Sequence, residues 1–161
     1  MTDGVRRLND LPDVEARAAL RACCASSRWV ERMLSQRPFK DRDEVFAAAE
    51  RVWWTLAPDD WLEAFRGHPR IGERAEGQAA AEQAGAGAAR EDVKAALAAG
   101  NRDYEARFGY IYIVCASGKS GEDLLARCRA RLGNAPAEEL KVAAAEQLAI
   151  TRLRLEKALT L

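Results

Sequence analysis

The chain of 161 residues contains one histidine, His68. A lone imidazole excludes the paired spacings of zinc hydrolases, HxxxH and HExxH. The cysteines at 23, 24, 115 and 128 form no CxxC pair, so no metal site is expected. Adjacent Cys23 and Cys24 are poorly placed to close a disulfide. The thiols therefore read as reduced, mostly buried small hydrophobes of a cytoplasmic protein. An excess of one charge is also lacking: 25 Lys and Arg balance 25 Asp and Glu. That balance argues against a nucleic acid held through its phosphates. No apolar run approaches the length of a membrane span. The N-terminal MTDGVRRLNDLPD is polar and has no apolar signal segment. Neither nucleic acid nor membrane is expected as a partner. GxSxG, the Walker loop and the dinucleotide fingerprint are absent.

What remains is rich in Ala, Leu, Glu and Arg at helical spacing. Helices are expected over 14–24, led in by Pro12, and over Ser27–Ser35, broken by Arg37-Pro38-Phe39. Asp41-x-x-Glu44 resembles a capping box opening a helix over 45–56. Pro58-Asp59-Asp60 opens a short helix that stops at Gly67. Residues 73–89, ERAEGQAAAEQAGAGAA, are small and polar. They fit either a loose surface helix or connector, or a segment through which backbone approaches a ligand. Residues 91–108 place Val93, Leu97, Asn101, Tyr104 and Phe108 near one helical face. The β-branched and aromatic run at 110–116 is the one stretch that prefers an extended backbone. A single extended segment among helices has no sheet to join, so its amides need other partners. Ser120-x-x-Asp123 caps a helix to 132, and Pro136 starts a long final one. The pattern predicts an all-α, single-domain compact bundle over 1–161 with one short extended segment.

His68 stands in GHPRIG, between Gly67 and Pro69. Gly permits an unusual φ and Pro fixes one, so such a turn can hold an imidazole still. Imidazole is the side chain best poised for proton transfer near neutral pH. Glu82, Gln83, Arg152 and Arg154 read from spacing alone as solvated helix residues.

The ordered run LND, CCASSRWVERM, RPF, DWLEAFRGHPRIG, EQAG, N-x-x-YEARFGYIYIVCASGKS, LLARCRARLGN, Q-x-x-I and LRLEKAL resembles the 2-oxo-4-hydroxy-4-carboxy-5-ureidoimidazoline (OHCU) decarboxylase family. The likeness runs from about residue 8 to 159. It implies an all-α fold that commonly dimerises, and a cofactor-independent carboxy-lyase that forms S-allantoin from urate breakdown products. Carried over by position, it makes His68 the catalytic histidine and Pro69 its neighbour in the substrate site. Glu82 and Gln83 match the family's Glu-Gln pair, with Glu82 set to hold either His68 or the substrate hydroxyl. Tyr112, Ile113, Val114, Cys115 and Ala116 match the backbone laid along the substrate, and Arg154 matches an arginine for a polar edge or carboxylate. The chain departs from the pattern at Ala79, where the family often has Ser.

The resemblance also implies a homodimer with a functional link to urate oxidase and hydroxyisourate hydrolase. Two rival readings stand beside it. One is a non-catalytic helical interaction module derived from this family. The other is the hydrolase that acts on 5-hydroxyisourate; its β-rich fold and several site histidines do not suit one histidine and a helical pattern.

Overall fold

The computed structural model describes residues 2–73 and 77–160. Residues 74–76 of the small-residue stretch lie outside the described part. Among the described residues there are ten helices and no strand, the all-α class read from the sequence. They are α1 (Asp3–Asp10), α2 (Asp13–Cys23), α3 (Ser27–Ser35), α4 (Arg42–Trp54) and α5 (Pro58–Arg66), then α6 (Gly77–Glu82), α7 (Ala84–Gly87), α8 (Glu91–Phe108), α9 (Gly121–Arg131) and α10 (Pro136–Thr160). Chain contacts divide them into two compact units, residues 2–64 with 148–160, and residues 65–147. None of the described helices is long and apolar enough to cross a membrane.

In the first unit α2 packs on α3 and α3 on α4. Ala48 and Ala49 are fully buried and small. They let α3 come close enough for the buried Trp29 indole to donate to the Ala49 carbonyl at 3.2 Å. Asp41 caps α4 by accepting from the Glu44 amide at 2.9 Å. The Glu44 carboxylate takes the Lys40 amide at 2.8 Å, one residue before the partner a full capping box would use. Helix α1 was not expected from the polar N-terminus. It carries only Val5 and Leu8 inward as bulky apolar groups, and Thr2 caps it through the Val5 amide at 3.4 Å. Arg37 ties α1 to α2 by donating to the Leu8 and Leu11 carbonyls at 2.9 and 2.7 Å and to Asp13 at 2.7 Å.

In the second unit α8 lies against α9, around a core that includes Val93, Leu97, Tyr104, Leu124 and Cys128. These follow the face predicted for α8; Asn101 shares it at 5% exposure. Ser120 and Asp123 close a full capping box at the start of α9. The small-residue stretch forms two short helices broken at Gln83. Gly85 is required there, because a Cβ would stand 1.9 Å from the Lys119 carbonyl oxygen.

The cysteines are free. Burial pushes the Cys23 thiol up to about 12 and those of Cys24 and Cys128 up to about 11. An unfolded thiol ionises near ~8.5, so above that pH the unfolded chain releases protons that the folded chain keeps. The stabilisation is complete below ~8.5 and is lost as pH climbs towards 11 to 12. The urea midpoint should therefore fall between pH 7 and pH 10. A variant with Cys24 and Cys128 both changed to Ala should fall less steeply; parallel slopes would contradict this.

Candidate active site

The stretch at 111–116 is neither helix nor strand, and charged side chains hold three of its backbone groups. The Cys115 amide donates to Glu146 Oε1 at 3.0 Å. The Cys115 carbonyl accepts from Lys119 Nζ at 2.7 Å, and the Ile113 carbonyl accepts from Arg131 Nη1 at 2.7 Å. Tyr112, Ile113, Val114 and Ala116 are buried and Cys115 is half-buried. The Tyr112 hydroxyl donates to the Leu124 carbonyl at 2.9 Å, which fixes the start of the stretch on α9.

Arg131 is 8% exposed and Glu139 fully buried. The guanidinium reaches Glu139 Oε2 through Nη2 at 2.6 Å and Nε at 2.9 Å. It also stands 4.9 Å over the Tyr112 ring and 5.6 Å over that of Tyr104. The Tyr104 hydroxyl donates to the same carboxylate oxygen, and Asn134 Nδ2 takes the other at 3.0 Å. Burial and the bond to Glu139 together hold the Tyr104 phenol well above its ordinary range. Neither ion is left without partners, which is the condition for tolerating a buried pair.

The GHPRIG turn is fastened at five points. His68 leaves the end of α5 with its amide on the Phe65 carbonyl at 3.2 Å. Its half-buried ring places Nε2 2.6 Å from Gln147 Oε1. Arg70 forms a fork with Glu105 at 2.8 and 2.9 Å. The Ile71 carbonyl accepts from Asn101 Nδ2 at 2.6 Å. Gly72, at φ 87°, donates its amide to Gln83 Oε1 at 3.1 Å; that backbone conformation favours glycine. The single histidine thus stands on a turn whose side chains and backbone are spoken for on both sides, with Pro69 directly after it.

Glu82 ends α6 half-buried. Its charge helps burial, with Glu146, to raise the Cys115 thiol, against Lys119. Glu82 is thus within electrostatic range of Cys115. Gln83 is 8% exposed, and its oxygen is bound to the turn. Ala79 is half-buried in α6 and presents no hydroxyl. The second unit therefore carries the His68 turn, the Glu-Gln pair and the stretch at 111–116, and Gln83 joins the pair to the turn. Arg154 belongs to the first unit, half-buried on α10, with Nη1 3.4 Å from the Ala22 carbonyl, close enough to Cys23 and Cys24 to oppose the effect of burial on both thiols. Arg152 is exposed, 3.4 Å from Glu50. Sequence reasoning missed Gln147, Glu146, Arg131 and Glu139. The one signal was Gln147 in the ordered Q-x-x-I run.

The described residues thus form a helical protein in which successive residues of α10, Gln147 and Glu146, hold the single imidazole and the backbone at Cys115. The chain belongs to the OHCU decarboxylase family, whose model matches residues 9–156. The uric acid degradation bifunctional protein TTL of Arabidopsis thaliana is 32% identical over 147 residues, 85% of this chain and 45% of that protein. The chain thus spans less than half of that relative's length. The 2-oxo-4-hydroxy-4-carboxy-5-ureidoimidazoline decarboxylase of Haloferax volcanii is 29% identical over 156 residues, covering 94% of this chain and 91% of that one. A crystal structure of an OHCU decarboxylase in the presence of (S)-allantoin matches with a TM-score of 0.81 at 31% identity, covering 93% of this chain and 99% of that chain.

Breaking the buried pair should be costly. Glu139→Ala leaves the Arg131 charge in the interior without its main partner, so it should lower the unfolding free energy by about 3–5 kcal/mol. Denaturant titration measures this, and a loss below ~1 kcal/mol, the range of an exposed pair, would contradict it.

Proposed function

We propose that this chain is a carboxy-lyase that converts OHCU to (S)-allantoin in urate degradation, without a cofactor. The observation that carries the proposal is the fastened His68 turn in the same unit as the extended backbone at 112–116, in a chain of this family. OHCU bears a carboxylate and a hydroxyl on one ring carbon, next to a ring C=N. When the bond to the carboxylate breaks, CO₂ departs and the electron pair moves into the C=N, whose nitrogen takes a proton. An enol remains. Its hydroxyl proton leaves as the carbonyl forms, and the neighbouring ring carbon takes a proton and becomes the stereocentre of allantoin. The net change is loss of CO₂ and gain of one proton. The substrate is its own electron sink, so a metal or pyridoxal phosphate has no task.

The side chains divide the remaining work. His68 exchanges the proton at one face of the ring. Glu82, within electrostatic range of Cys115, takes the hydroxyl proton or steadies the ring. Pro69, the amide nitrogen of Gln83 and the backbone of Tyr112, Ile113, Val114, Cys115 and Ala116 meet the flat, amide-rich ring and ureido tail. Arg154 offers a planar fork to a carboxylate or polar edge. We assign residues 1–161 to one functional domain, working as a cytoplasmic homodimer beside urate oxidase and hydroxyisourate hydrolase. Sedimentation of the purified protein tests the dimer.

Spontaneous decay in solution protonates either face and gives a racemate. A bias of only about 1.4 kcal/mol between faces gives a tenfold preference. Circular dichroism during turnover from urate, with urate oxidase and the hydrolase added, should show (S)-allantoin appearing faster than the chemical background. Prior dialysis of the protein against a chelator should leave the rate unchanged. His68→Asn should lose about 10² to 10⁴-fold in rate and give optically silent product. Racemic product from the wild-type protein at the background rate would favour the non-catalytic module.

Arg154→Lys should weaken apparent substrate affinity more than Arg152→Lys, because a point charge replaces a bidentate fork poorly and Arg152 is already occupied at the surface with Glu50. Equal KM values for the two variants would remove Arg154 from the site.

A further inference from the structure

We propose that Gln147 is a positioning residue for His68: its side-chain oxygen holds the imidazole in the Nε2–H form and in one orientation. The contact is short, 2.6 Å, and Gln147 is fully buried, so the amide does not compete with water for its partner. An amide oxygen only accepts, and the ring nitrogen facing it must therefore carry a hydrogen. In the neutral ring Nδ1 then has the lone pair.

The choice of a neutral partner matters. A carboxylate in this place would favour imidazolium and move the ring away from the range in which it both gives and takes a proton. An amide orients the ring without supplying charge. The carboxylate sits one residue earlier: Glu146 Oε1 holds the Cys115 amide at 3.0 Å. Successive residues of one helix, with Cα atoms ~3.8 Å apart, thus hold the proton-transfer group and the backbone proposed to lie along the substrate. The spacing between the two is set by α10. Other charged groups of this unit around the site include Glu82 on α6, Glu146 on α10, Lys119 and the Arg131–Glu139 pair at the stretch, and the Arg70–Glu105 pair between the turn and α8. All remain when residue 147 is changed.

This inference rests on His68 acting in the reaction, but part of its test does not. The chain has one histidine, so ¹⁵N-histidine labelling gives a single imidazole whose shifts report tautomer and titration directly. The wild-type neutral ring should be the Nε2–H form. Gln147→Glu should raise the imidazole midpoint by about 1 to 3 pH units, and the corresponding limb of kcat/KM should move with it. Gln147→Met, similar in volume but unable to accept strongly, should give a mixture of tautomers. It should also lower kcat about tenfold or more with KM little changed, and reduce the optical purity of the product. An Nδ1–H ring in the wild-type protein overturns the proposal and needs no variant to fold. So does an unmoved midpoint in folded Gln147→Glu, or an unchanged kcat in folded Gln147→Met. An inactive wild-type protein whose imidazole behaves as described would instead sink the decarboxylase reading and leave this one standing.

Discussion

A segment of extended backbone without a neighbouring strand has to satisfy each buried amide and carbonyl some other way, and here the buried guanidinium of Arg131 is central to the solution. It takes the Ile113 carbonyl, lies over the rings of Tyr112 and Tyr104, and is itself neutralised by Glu139. Its fork geometry makes this possible: one planar group donates in several directions while presenting a face to aromatic rings. Glu146 and Lys119 complete the set at Cys115. A strand in a sheet would have spent these backbone groups on its neighbours. Held by side chains, the stretch keeps its shape with fewer of its edges covered.

The second constraint is the turn at 67–72. Its fastenings come from two helices, α8 through Asn101 and Glu105 and α10 through Gln147, and from the break after α6 through Gln83. A ring on such a turn has little further freedom to lose on meeting a ligand, so less binding energy would go into ordering it. The same logic applies to Gln83. Its oxygen serves the turn, which leaves the nitrogen end as the part able to meet a ligand.

Much of the fold was legible because local rules and tertiary packing agree. Helix α8 has its apolar face at the expected spacing, α9 has its capping box, and the β-branched run at 111–116 lies outside the helices. Helix α1 escaped because DGVRRLND offers only two bulky apolar residues, too few for a periodic signal; its docking depends on Arg37 from far along the chain. In the site, His68 announced itself by being alone between Gly and Pro. Its fastening did not. Gln147 is 79 positions away, in a 25-residue helix. Glu139, Glu146 and Arg131 look, by spacing, like the many solvated charges of an Ala-Glu-Arg-rich chain. Only their burial, partial for Glu146, separates them, and burial is a property of the packed structure.

The elevated thiols have a further meaning for resistance to oxidation. Peroxide attacks the thiolate, not the thiol. With a pKa of about 11, Cys24 and Cys128 are ionised to only about one part in 10⁴ at neutral pH, and both side chains are out of contact with solvent. The half-buried Cys115, beside Lys119, is the most open of the four. It is also the cysteine on the extended backbone, so oxidation would enter the molecule where its geometry is held most closely.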